Sequence, residues 1–115
     1  MLEFHVELRL TDACAVVEVA GELDIATAPE LVAALTAATD SGADRIVVNL
    51  LRTTFIDSSG LTTLFRAHKA HRDGGFSIVC AQDNQEVRRV MDLMGFTDVF
   101  TIHETLADAD CDGPS

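Results

Sequence analysis

Asp57-Ser58-Ser59-Gly60-Leu61 sets a carboxylate and two hydroxyls in consecutive positions. A serine attacks as a nucleophile only with a base in hydrogen-bond reach, usually a histidine oriented by an acid. The residues around Ser58 and Ser59 do not follow the Gly-x-Ser-x-Gly elbow of serine hydrolases. His68 falls on the same helical stripe as Leu61 and Leu64, which reads as a core or boundary histidine rather than a base. With His71 it makes an i,i+3 pair that suits a metal, yet the sequence offers no third ligand. Asp24 and Asp57 are the candidates for paired-carboxylate chemistry, but both fall in predicted turns, where aspartate is common for backbone reasons. Walker and Rossmann glycine patterns are missing. The expectation is a protein that is not an enzyme.

Two readings of the serines stay open on these residues alone. One is a helix cap, worth about 1 kcal/mol. The other is regulation at a strand-to-helix junction, where free backbone N–H groups and the positive end of a helix dipole favour an anion or polar partner.

The elements that must position this segment are legible from periodicity. Phe4, Val6, Leu8 and Leu10 alternate with polar residues, and Cys14 to Ala20 follows as a second strand ended by Gly21, giving an antiparallel hairpin. Thr27, Pro29 and Glu30 open a helix carrying Leu31, Leu35 and Ala38. A strand at 45–51 leads to the Asp57 segment and a helix from about Ser59 to Arg72. A strand at 76–80, a helix capped by Asn84 with Val87, Val90, Met91 and Met94 on one face, and a short strand at 99–102 complete the order. Residues 103–110 are expected to form a last helical turn or two.

Alternating strands and helices imply parallel pairing with right-handed crossovers. The predicted fold is therefore α/β. It has a mixed, mostly parallel sheet of four to five strands, an N-terminal antiparallel hairpin and helices packed mainly on one face. Functional loops collect at the carboxyl ends of such strands. Gly21-Glu22-Leu23-Asp24 and Phe55-Ile56-Asp57-Ser58-Ser59-Gly60 flank one crossover helix and share a rim.

A chain of 115 residues fits one domain, read as 1–110 with a flexible tail at 111–115. The net charge of −11 argues against a nucleic-acid partner, because phosphate backbones need clustered cations. The main cations, Arg66, Lys69, Arg72, Arg88 and Arg89, include three in the second half of one predicted helix, where they complement its dipole. No apolar run approaches the roughly 20 residues that cross a membrane, and no signal peptide opens the chain, so a cytoplasmic protein without membrane contact is expected. Cys14, Cys80 and Cys111 are expected to be structural or incidental thiols.

Gly21-Glu22-Leu23-Asp24 followed by Asp57-Ser58-Ser59-Gly60-Leu61 resembles the anti-sigma-factor antagonists of the STAS domain family. Gly74-Gly75 and Met91-Asp92-Leu93-Met94-Gly95-Phe96 resemble its later landmarks, in the same order. The resemblance implies a STAS-like domain that binds an anti-sigma-factor serine kinase and frees a sigma factor for transcription. It implies that the kinase phosphorylates Ser58, releasing the antagonist, and that a metal-dependent serine phosphatase restores it. ATP and Mg²⁺ belong to the kinase, and no cofactor is implied for this chain. The family pattern makes Gly21, Glu22, Asp24, Asp57, Ser58, Ser59 and Gly60 the partner-binding set, with Ser59 a secondary phosphorylation site or the cap. Thr62 departs from the glycine found in many relatives. The alternatives are a STAS module in another signalling assembly and one that binds a small ligand or nucleotide.

Overall fold

The computed structural model describes residues 3–12, 14–71 and 75–109. Strands β1 (His5–Leu10) and β2 (Cys14–Leu23) form the antiparallel hairpin, with His5 opposite Ala20 and Leu10 opposite Ala15. Helix α1 (Ala28–Asp40), β3 (Arg45–Ile56), α2 (Ser58–Ala70), β4 (Phe76–Val79), α3 (Gln85–Leu93) and β5 (Ile102–His103) follow. The sheet order is β1-β2-β3-β4-β5, and every pairing after the hairpin is parallel. Each crossover steps one strand further in the same direction, and right-handed crossovers that all step one way leave their helices on one face.

Strand alternation then decides which residues meet the helices. Ala15, Val17 and Val19 of β2 and Ile46, Val48 and Leu50 of β3 share a core with helix residues such as Leu31, Leu64 and Met91. The opposite face buries Cys14, Val16, Val47 and Val79 under Leu106 and Ala109, which come from the segment after β5. That segment makes turns at 106–109, with the Ala109 N–H donating to the Thr105 carbonyl at 3.3 Å. The proposed tail, 111–115, lies outside the described residues.

The structure moves several predicted boundaries. Gly21 does not end β2; the strand runs on to Leu23, and β3 extends past Leu51 to Ile56. Register shifts at Glu18/Ala20 and Gly21/Glu22 let the 12 residues of β3 run beside the 10 of β2. Gly21 holds φ at 94°, and a Cβ there would lie 3.0 Å from the Phe4 Cα, so this glycine serves a bulge and a close approach. The last strand is confined to Ile102 and His103, because residues 97–99 turn before the buried Phe100. On α3, Val87 and Met91 are buried while Met94 is exposed.

Cys80 is a free thiol in the core, and its burial pushes its pKa up against the pull of the neighbouring Arg88 guanidinium. Cys14 is buried as expected, but it is disulfide-bonded rather than a thiol. Spacing along the chain carries no record of which sulfurs the fold brings together. Cys111 lies outside the described residues.

Candidate functional site

Leu23 and Ile56 pair at the ends of β2 and β3, and the Asp57 N–H donates to the Leu23 carbonyl at 3.1 Å. Asp24 and Asp57 therefore leave the sheet side by side. The shared rim inferred from topology is present.

Each aspartate organises the backbone that follows it. Asp24 Oδ1 accepts from the N–H groups of Ala26 at 2.9 Å and Thr27 at 3.1 Å. Thr27 occupies the N-cap position of α1 without capping it through its side chain. Its hydroxyl instead accepts from the Asp24 N–H and donates to the Glu22 carbonyl, both at 2.9 Å. This mesh holds the 24–27 turn and leaves Ile25 at its tip, 75% exposed.

The cap of α2 corrects the expectation placed on the serines. Asp57 Oδ1 accepts from the Ser59 N–H at 2.9 Å and the Gly60 N–H at 3.1 Å. A carboxylate at the N-cap also favours the helix dipole, so it outcompetes a neighbouring hydroxyl for the role. Neither Ser58 nor Ser59 has a side-chain hydrogen bond to another described residue. Ser58 is exposed and Ser59 half-buried. Their carbonyls accept from the Thr62 and Thr63 hydroxyls at 2.8 and 3.0 Å. Thr62 thus turns its hydroxyl back to the helix.

Gly60 is buried, and a Cβ there would fall 2.7 Å from Leu23 Cγ and 2.9 Å from Ile56 Cγ1. The first turn of α2 lies directly on the ends of β2 and β3, which fixes how far the serines stand above the sheet. Ile25, Pro29 and Val32 on one side and Ser58, Ser59 and Thr62 on the other border an open groove of about 500 Å³.

The remaining chemical candidates are dispersed. His68 lies ten residues beyond Ser58 on one helix, roughly 15 Å along its axis. Its ring sits against Phe65, Phe76 and Phe100, with Nδ1 buried and without a partner among the described residues. That is the boundary histidine of the helical stripe. His71 Nδ1 lies 3.3 Å from the Ala67 carbonyl. Among the described residues no group of three His, Cys, Asp or Glu is placed to hold a metal, and no helix is long and apolar enough to cross a membrane. Asp24 and Asp57 are both engaged in holding backbone.

Residues 5–109 match the family model of the STAS domain. The chain belongs to the STAS domain family. This STAS domain is 28% identical over 103 residues to the anti-sigma-B factor antagonist of Staphylococcus aureus, covering 90% of the chain and 95% of that relative. It is similar to the crystal structure of an anti-sigma factor antagonist from Mycobacterium paratuberculosis, with a TM-score of 0.84 and 30% identity over 93% of this chain and 91% of that one. It shares its fold with the phosphorylated form of the Bacillus cell fate determinant SpoIIAA, at a TM-score of 0.64 and 22% identity over 94% and 97% of the two chains.

Sequence reasoning missed Ile25 and Arg66 as parts of the serine groove. An apolar residue stranded in a polar turn, Asp24-Ile25-Ala26-Thr27, was the available signal for the first. Arg66 carried none, since a cation in the second half of a helix already has a reason in the dipole.

Proposed function

We propose that this STAS domain is an anti-sigma-factor antagonist: it binds an anti-sigma serine kinase, frees a sigma factor, and is switched off when the kinase phosphorylates Ser58. The observation that carries the reading is the state of the Ser58 hydroxyl. It is exposed, it borders a groove, and the capping bonds fall to Asp57, so its modification breaks no intramolecular side-chain bond. The full-length similarity to proteins named as antagonists supports the assignment.

Phosphate would add about −1.5 to −2 charge and a strongly hydrated group. Asp57 already holds the Ser59 and Gly60 N–H groups, so the phosphate would not find these donors vacant. It would stand beside the Asp57 carboxylate on the docking face. The effect falls on the interface and leaves the fold intact. Glu22 and Asp24 would meet the partner from the adjacent turn and Ser59 from the groove wall. Gly21 and Gly60 are buried and would shape this surface without forming it.

On this reading the chain acts in the cytoplasm without a cofactor of its own, a nucleic-acid contact or a membrane. The kinase supplies ATP and Mg²⁺, and a serine phosphatase reverses the modification. Incubation with the anti-sigma kinase and ATP is expected to place one phosphate per chain on Ser58, read by peptide mass spectrometry, and none on Ser58→Ala. Stoichiometric phosphate on Ser59 alone would reassign the switch, and a lack of any transfer would contradict it.

A further inference from the structure

The groove beside Ser58 continues well past the phosphorylation site. A second depression of about 240 Å³ lies between α1 and α2, bordered by Thr36, Thr39, Ala67, Ala70 and His71. The two share Val32, Thr63 and Arg66 and so form one furrow. Following α2 from Ser58 to His71, it is roughly 20 Å long at the helical rise of about 1.5 Å per residue.

Its chemistry is unlike the rest of the molecule. The chain has 19 acidic residues against 8 Lys and Arg, yet among the described residues no carboxylate lines the furrow. Arg66 lines both halves, is exposed and has no ion-pair or hydrogen-bond partner among the described residues. The hydroxyls of Thr39, Thr62 and Thr63 donate to the carbonyls of Leu35, Ser58 and Ser59. With their oxygens turned to the helix backbone, these threonines offer methyl groups. What remains is a largely aliphatic channel with one free guanidinium near its middle, the Ser58 and Ser59 hydroxyls at its head, and the Thr36 hydroxyl and His71 ring as its other polar groups.

We infer that this furrow receives an amphipathic helix of the kinase partner, aliphatic on its buried face, with a carboxylate that pairs with Arg66. Helices bind apolar grooves in this way, and arginine recognises carboxylates by paired hydrogen bonds. Charge complementarity selects the occupant: an aliphatic segment carrying an acid fits a cationic, carboxylate-free channel. A phosphate on Ser58 would then set negative charge at the head of a channel holding an acidic helix. The inference rests on the kinase-binding reading above and adds to it a specificity-determining residue and a footprint reaching the far end of α2.

Affinity of the full chain for the anti-sigma kinase that phosphorylates it provides the test, by titration calorimetry with circular dichroism as a fold control. Arg66→Glu is expected to bind about thirtyfold more weakly, and Arg66→Lys, which keeps the charge but loses the paired hydrogen bonds, about fivefold more weakly. Lys69→Glu makes the same charge change on α2, but Lys69 lies over the Phe65 ring and does not line the furrow. It is expected to bind within about threefold. Ala70→Glu, at the foot of the channel, is expected to weaken binding about tenfold. Equal losses in Arg66→Glu and Lys69→Glu would reduce Arg66 to general steering and overturn the inference. So would a wild-type self-association that Arg66→Glu abolishes, which would assign the furrow to a second copy. Undiminished binding by Arg66→Glu sinks the furrow alone, whereas a wild-type chain that binds no kinase sinks the functional reading with it.

Discussion

Phosphorylation of Ser58 is expected to weaken binding to the anti-sigma kinase at least about a hundredfold, which corresponds to roughly 2.7 kcal/mol. The magnitude follows from where the charge would sit. A dianionic group carried into an interface must lose hydration, and without a paired cation that cost is several kcal/mol. On this chain the N–H groups of Ser59 and Gly60 are already held by Asp57, which leaves the Ser58 N–H as the one open donor of that turn among the described residues. The Asp57 carboxylate adjoins it, and the cation of the same groove, Arg66, stands roughly 12 Å further along α2. Ser58→Ala, by contrast, removes an exposed hydroxyl that bonds no other described residue, and its affinity is expected to stay within about threefold. Calorimetric titration of the three forms checks both statements. A phosphorylated chain that binds like the unmodified one would contradict them, and so would a far-ultraviolet spectrum showing that phosphate unfolds α2.

The second large effect is structural. Gly60→Val is expected to destabilise the domain by about 3 kcal/mol, because side-chain atoms would enter space held by the fully buried Leu23 and Ile56. With a urea m-value of about 1–3 kcal/mol/M, the unfolding midpoint should fall by about 1 M or more. Ser59→Ala, one residue earlier, is expected to move it by less than about 0.5 kcal/mol, since that hydroxyl has no partner to lose. A neutral Gly60→Val would mean that α2 can lift from the strand ends without cost. The prediction therefore tests the packing that sets the height of Ser58 above the sheet.

The architecture was readable before the structure because its causes are local. Period-two alternation in β1 and the Asn84 cap of α3, which accepts from the Val87 N–H, are written within short windows. Parallel pairing and helices on one face then follow from chain order and handedness. What escaped the sequence depends on contacts between distant segments. Gly21 reads as a stop signal in isolation, but its meaning comes from Phe4 pressing on it across the hairpin. The register shifts that carry β3 to Ile56 need both strands to be seen together. Asp57, Ser58 and Ser59 are all acceptable caps by type, and only geometry gives the N–H groups to the carboxylate. That assignment matters for function, because it leaves Ser58 without an intramolecular duty. Arg66 became notable once the described lining of its furrow was seen to hold no carboxylate.

The central claim is that the modification state of Ser58 decides whether a sigma factor is free. The direct measurement is a displacement assay on the complex of the anti-sigma kinase with a fluorescently labelled sigma factor, read by anisotropy as this chain is added. Unphosphorylated wild type is expected to release the sigma factor in a saturable manner, and the chain phosphorylated at Ser58 to leave the complex intact at the same concentrations. Release by both forms, or by neither, would contradict the account.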